Sequence, residues 1–111
     1  MQNFEFIDSL LQTTDEPLVI IDSNHIIVFM NEKGAMQYQD RGGKALIGKK
    51  VFDCHNSEQS IRKIIEIVAV LKSGEDEWFE GESPTKRTFV RSVKNPQGNF
   101  YGYYEHYDYL K

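Results

Sequence analysis

Everything after Gly74 reads as strand, broken twice by clusters of turn residues. Residues 77–82 carry Trp78 and Phe79, Ser83-Pro84-Thr85 turns the chain, and residues 86–94 form a longer strand. Asn95-Pro96-Gln97-Gly98 turns it again, and residues 99–109 form the last strand. The chain opens differently. Phe4, Ile7 and Leu11 share a helical stripe, with Phe6 and Leu10 beside it, and Thr13 to Pro17 ends that helix because the residue before proline avoids helical backbone. Two β-branched runs at 17–22 and 26–30, split by the turn cluster Asp22-Ser23-Asn24, predict a hairpin. Between the strand blocks lie helices. Asn31 caps a short one over 32–38, and residues 44–48 make a helical turn. Asn56, with Gln59 at capping-box spacing, starts a long helix over about 57–72, closed by Gly74. Strands in two blocks around helices specify an α+β domain: one antiparallel sheet with helices on one face. An N-terminal helix over 1–13 and a core over 14–110 make up a single domain.

Composition narrows the function classes. The net charge is −4, which argues against a nucleic-acid surface, because displacing counterions from phosphate needs a basic stripe. A lone cysteine cannot form an internal disulfide, so a reducing compartment is expected. No apolar run approaches a membrane span, and the N-terminus carries acids where a signal peptide carries bases. The expected setting is cytoplasmic, without membrane or nucleic-acid partners.

Several local elements, in order, resemble the PAS family. Residues 17–22 resemble its opening strand, and Asn31 falls where the family often has asparagine after strand two. Leu46-Ile47-Gly48-Lys49 resembles its "L-I/V-G-K/R" element, and Lys72-Ser73-Gly74-Glu75 the "G-E" that ends its long helix. Asn95 to Gly98, then Gly102 and Asp108, resemble the frame of its last hairpin, so that the resemblance spans residues 8–110. It implies a five-stranded antiparallel sheet clasping a cavity under the helices. It also implies a sensory or dimerisation module that is not an enzyme, with output through an effector domain or partner protein. Photosensory flavin members carry their reactive cysteine where this chain has Val51, and Cys54 comes three residues too late. Haem-binding members usually supply a histidine from the long helix, and residues 57–72 contain none. Yet Cys54-His55-Asn56-Ser57 resembles a "C-H-x-P" element of some bacterial PAS domains, with Ser57 in place of proline.

The candidate site follows from these residues. His55 is the candidate metal ligand, since imidazole is a common axial ligand of haem iron, and haem b is the leading cofactor candidate. Its alternative is a loop histidine packed on the helix end. Cys54 lies near the helix start, where a thiolate is favoured, and is otherwise a small buried apolar residue. Strand alternation puts Tyr104 and His106 on one face and Tyr101, Tyr103, Glu105 and Tyr107 on the other. The resemblance implies that Tyr104 and His106 face the cavity, with Ile64, Ile65 and Val68 of the long helix. The outward tyrosines would then form a ladder that, with Phe4, Ile7 and Leu11, makes a homodimer contact. His25 reads as surface. Arg87 and Arg91 read as a solvated face, or as a clamp for an anionic ligand. A ligand-free interaction module and an enzyme pairing Cys54 with His106 are the alternatives to small-ligand sensing.

Overall fold

A computed structural model describes residues 2–55 and 57–110. Helix α1 spans Gln2–Gln12, followed by strands β1 (Val19–Asp22) and β2 (Ile27–Met30). Helix α2 (Glu32–Gln37) and three 3-10 turns, at Gln39–Arg41, Gly43–Leu46 and Val51–Cys54, lead to helix α3 (Glu58–Lys72). Strands β3 (Glu77–Glu82), β4 (Lys86–Lys94) and β5 (Phe100–Tyr109) complete the chain. The five strands form one antiparallel sheet in the order β2-β1-β5-β4-β3. The expected fold class is therefore the observed one. The first two strands start one or two residues later than expected, and residues 51–54 wind into a turn.

Two close approaches set this topology. β1 lies against β5 with Asp22 opposite Gly102 and Ile21 opposite Tyr103. A Cβ at residue 102 would stand 2.2 Å from the Ile21 carbonyl oxygen, so only glycine admits that separation. Gly34 in α2 is similar, with 2.3 Å between an added Cβ and the Leu18 carbonyl oxygen.

Asn31 is the expected cap of α2, its Oδ1 accepting from Gly34 N at 2.8 Å. It is also fully buried and serves several other groups. The same Oδ1 accepts from Leu18 N, and Nδ2 donates to Leu11 O, Thr14 Oγ1 and Glu16 O. The segment between α1 and β1 is thereby bonded to the start of α2.

Helix α3 is capped by Ser57, whose Oγ accepts from Ser60 N at 3.1 Å, one residue beyond the expected cap. Asn56 itself lies outside the described residues. Gly74, at φ 125°, turns the chain out of α3 in a conformation that side chains avoid. Ile67, Val68 and Leu71 of α3 are buried against Ile21, Ile27, Met30, Val90 and Tyr103 of the sheet. Among the described residues of α1, the last turn is tied in, through Leu11 O and the Gln12 side chain. Phe4, Phe6, Ile7 and Leu10 are exposed.

Candidate ligand-binding site

A cavity of about 140 Å³ lies between α3 and the inner face of the sheet. Its apolar wall comes from Ile64, Ile67 and Val68 of α3, with Ile21, Val51 and Val90. Its polar groups are Tyr38, His55, Glu80, Tyr103 and Glu105. A wider depression of about 330 Å³ adjoins it, sharing His55, Ile64 and Glu80 and adding Gln59, Ser60 and Lys63. The opening therefore lies between the first turns of α3 and strand β3.

The loop histidine is where the sequence placed it. The Nδ1 of His55 is 2.9 Å from the Val51 carbonyl oxygen, which can only accept, so Nδ1 carries the proton and Nε2 is the ring's acceptor. Cys54 is not in the wall. Its thiol is buried and points back to Val51 O at 3.0 Å, within 3.7 Å of His55 Nδ1. Burial and the charge of Asp53 push its pKa up against a pull from Arg41, so the thiolate expected at the helix start is disfavoured. The backbone aims this thiol at the core, away from the helix terminus. Among the three α3 candidates, Ile64 and Val68 line the cavity, whereas Ile65 is exposed and Ile67 takes its place. A buried stripe at 67, 68 and 71 rotates residue 65 outward.

The alternation along β5 holds, but its faces are exchanged. Tyr103 and Tyr107 are buried and Glu105 enters the cavity wall. Tyr104 and His106 instead lie on the outer face, in a groove with Leu11, Glu16 and Arg91. There His106 Nδ1 meets Glu16 Oε1 at 2.9 Å and Nε2 meets Asp108 Oδ1 at 2.8 Å. The reason is area: Tyr103 and Tyr107 bury more apolar surface than Tyr104 and His106 would, and register follows the larger gain. A dyad of Cys54 with His106 is excluded, because the sheet separates them. The tyrosine ladder is no outward dimer surface either, since Tyr103 is in the core. His25, expected at the surface, is half-buried at φ 66°. Its Nδ1 lies 2.9 Å from Tyr103 Oη and its ring 4.7 Å from that of Phe52. Burial first, then Lys72, lowers its pKa and favours the neutral ring. Arg87 and Arg91 pair with Glu82 and Glu77 on neighbouring strand β3, the solvated arrangement expected of them.

Glu80 and Glu105, neither anticipated, give the cavity its charge. Both side chains line the cavity, and although Glu80 is exposed on its outer flank, burial against the cavity, then Glu105, push its pKa up to about 8, against Lys63. Tyr107 Oη donates to Glu105 Oε1 at 3.1 Å. Burial and Glu105 also push Tyr38 up to about 12. Glu80 beside Glu105 therefore keeps its proton to higher pH in the folded state than in the unfolded chain. Glu105 was legible as a charged residue in register with Tyr103 and Tyr107 once the faces were assigned correctly. Glu80 carried no signal, because β3 is exposed along most of its length.

A pH dependence follows. The folded-state pKa of Glu80 lies above its ordinary value of 4.5, so its contribution to stability is complete below about 4.5 and is lost as pH rises through about 8. Glu80→Gln is expected to stabilise the domain increasingly from pH 5 to 8, reaching a plateau above. Discounted for solvent at the exposed flank of Glu80, the gain is about 1–2 kcal/mol. Urea midpoints of both proteins across pH 5 to 9 measure it; parallel curves would contradict the raised pKa of Glu80.

Among the described residues, no group of three or more His, Cys, Asp or Glu side chains could hold a metal ion. No described helix is long and apolar enough to cross a membrane. No protein-family model and no curated protein matches the chain. Solved structures do match its fold. The PAS domain of BvgS from Bordetella pertussis superposes with TM-score 0.71 at 15% identity, over 100% of this chain and 88% of that one. The C-terminal domain of a Streptococcus mutans protein gives TM-score 0.71 at 20% identity, covering 97% and 85%. The Aer2 receptor from Vibrio cholerae, described as a dual PAS-haem oxygen sensor, gives TM-score 0.56 at 13% identity, covering 92% and 99%. With its sheet order, its helices over the inner face and these likenesses along nearly its whole length, the chain has the PAS fold.

Proposed function

We propose that the chain is a sensory module that takes a small ligand in the cavity beneath α3 and passes its response to a partner without catalysis. The observation that carries this reading is the cavity itself: an apolar wall with a few converging polar groups, the usual composition of a ligand site. A lone buried thiol suits a cytoplasmic setting, where it stays reduced. Screening a library of small fragments by thermal shift tests the reading, with Val68→Phe and Ile64→Phe as cavity-filling variants. Fragments that stabilise the wild type should lose their effect in both variants. Binding that survives both variants would place the ligand elsewhere, and a screen without any binder would favour a ligand-free interaction module.

Haem b is a second reading, favoured by one feature. His55 donates Nδ1–H to a backbone carbonyl and keeps Nε2 as an acceptor, the arrangement common to histidine ligands of metals. The rest of the wall does not fit haem as it stands. The cavity of about 140 Å³ is close to the roughly 150 Å³ that admits benzene, and its carboxyl pair repels propionates. Hemin added to the wild type and to His55→Ala decides the matter by absorbance. The small-ligand reading expects no Soret shift in either; a shift lost with His55→Ala would support haem.

A homodimer through α1 is part of the same proposal. Phe4 and Phe6 are 84% and 70% exposed, and Ile7 and Leu10 extend their apolar surface. Tens of micromolar is the affinity expected of a modest interface of this kind. Sedimentation in that range should show a dimer for the wild type and a monomer for Phe6→Glu. A wild-type monomer would remove the contact.

A further inference from the structure

We propose that the cavity selects a small primary ammonium ion, its head between Glu80 and Glu105 and its hydrocarbon tail against Ile64, Ile67 and Val68. The inference rests on the small-ligand reading above and names the chemical class of ligand. The wall is rich in acceptors. Both carboxyl groups lie in it, and His55 spends its N–H on Val51 O, so the ring has only an acceptor left to offer. An ammonium group brings three donors and a positive charge to such a wall. An alcohol brings one donor, and a carboxylate adds a third carboxyl group to the two already there. A divalent metal is a poor match: calcium wants six to eight oxygens, and among the described residues no group of three or more His, Cys, Asp or Glu side chains could hold a metal ion. The apolar remainder and the size of the cavity, close to that which holds benzene, call for a short tail of about six heavy atoms or fewer.

The protein's own cations leave the place open. Lys63 sits in the outer depression at the mouth, and Arg41 lies with Tyr38 and Glu105 in a separate surface depression with Gln37 and Tyr107. Neither residue lines the cavity. The groups facing the pair are therefore Tyr38 and Tyr107, His55, Lys63 from α3 on the Glu80 side, and Arg41 on the outer side of Glu105. Binding is an exchange: the ammonium ion enters, and the proton held by Glu80 leaves to solvent. Because alkylammonium keeps its proton to about pH 10, as lysine does, affinity should rise with pH as the Glu80 proton becomes easier to remove.

Isothermal titration calorimetry with pentylamine, 1-pentanol and pentanoate tests this at pH 7, in two buffers of different ionisation enthalpy. Pentylamine should bind at least about tenfold more tightly than pentanol, and pentanoate should not bind. About one proton should be released per amine. Glu105→Gln and Glu80→Gln should each weaken the amine about tenfold or more and abolish proton release, while Lys63→Gln should tighten it. Equal binding of pentanol or pentanoate, or an amine affinity unchanged in both glutamine variants, overturns the ammonium class and leaves the small-ligand reading standing. Silence towards pentylamine in a protein whose cavity takes other fragments does the same. Silence towards all three ligands, with no fragment binding the cavity either, overturns both.

Discussion

Asn31→Leu is expected to destabilise the domain by about 3–5 kcal/mol, the largest effect of any single substitution considered. Asn31 is 0% exposed, and its amide bonds groups from three segments. Leucine is of similar size, so no cavity forms. What is lost is the satisfaction of two backbone N–H groups, at Leu18 and Gly34, and one of the two donors to each of the Leu11 and Glu16 carbonyls, which keep the Thr14 hydroxyl. Each buried group left unpaired costs about 1–3 kcal/mol, and loss of the helix cap costs about 1 kcal/mol. Water reaching the loosened linker offsets part of that sum. At about 4 °C per kcal/mol, the melting temperature should fall by about 12–20 °C. Asn31→Asp keeps the acceptor and loses the donors, so it should fall between. A loss below about 1 kcal/mol for Asn31→Leu would show that the linker is held by other contacts.

Gly102→Ala comes next. Its Cβ would meet the Ile21 carbonyl oxygen at 2.2 Å and Asp22 Cα at 3.0 Å, and both belong to backbone that cannot rotate away. β1 would have to move off β5 where Ile21 and Tyr103 wall the cavity. The expected cost is about 2–3 kcal/mol, with loss of any ligand affinity the cavity has. Gly81→Ala is the control, because nothing lies within 4 Å of the added carbon there, and it should stay within about 0.5 kcal/mol of the wild type. Equilibrium urea unfolding of the three proteins compares them. Equal stability of the two variants would mean that β1 and β5 do not approach as described.

The fold was largely legible because its boundaries are written in local chemistry. Pro17, Asn31, Gly74 and the run from Asn95 to Gly98 each act within a few residues, through fixed φ, side-chain capping or glycine freedom. The site was legible only where it is local too. His55 could be placed in the wall from its position before α3, as could Ile64 and Val68 from helical period. The face of β5 could not be read locally, because Tyr104 and His106 alternate with Tyr103 and Glu105 in a pattern either face could claim. The pairing of Glu80 with Glu105 was less accessible still. They come from β3 and β5, separated in the sheet by β4, so only the folded topology brings their carboxyl groups together.

The carbon–proton correlation spectrum of the Ile64, Ile67 and Val68 methyl groups during a pentylamine titration tests the central claim most directly. These methyls line the cavity, whereas those of Val28 and Leu10 are exposed elsewhere. Saturable shifts confined to the cavity methyls, and absent in Glu105→Gln, are the predicted result. Shifts at Val28 or Leu10 with the cavity methyls unmoved would contradict it.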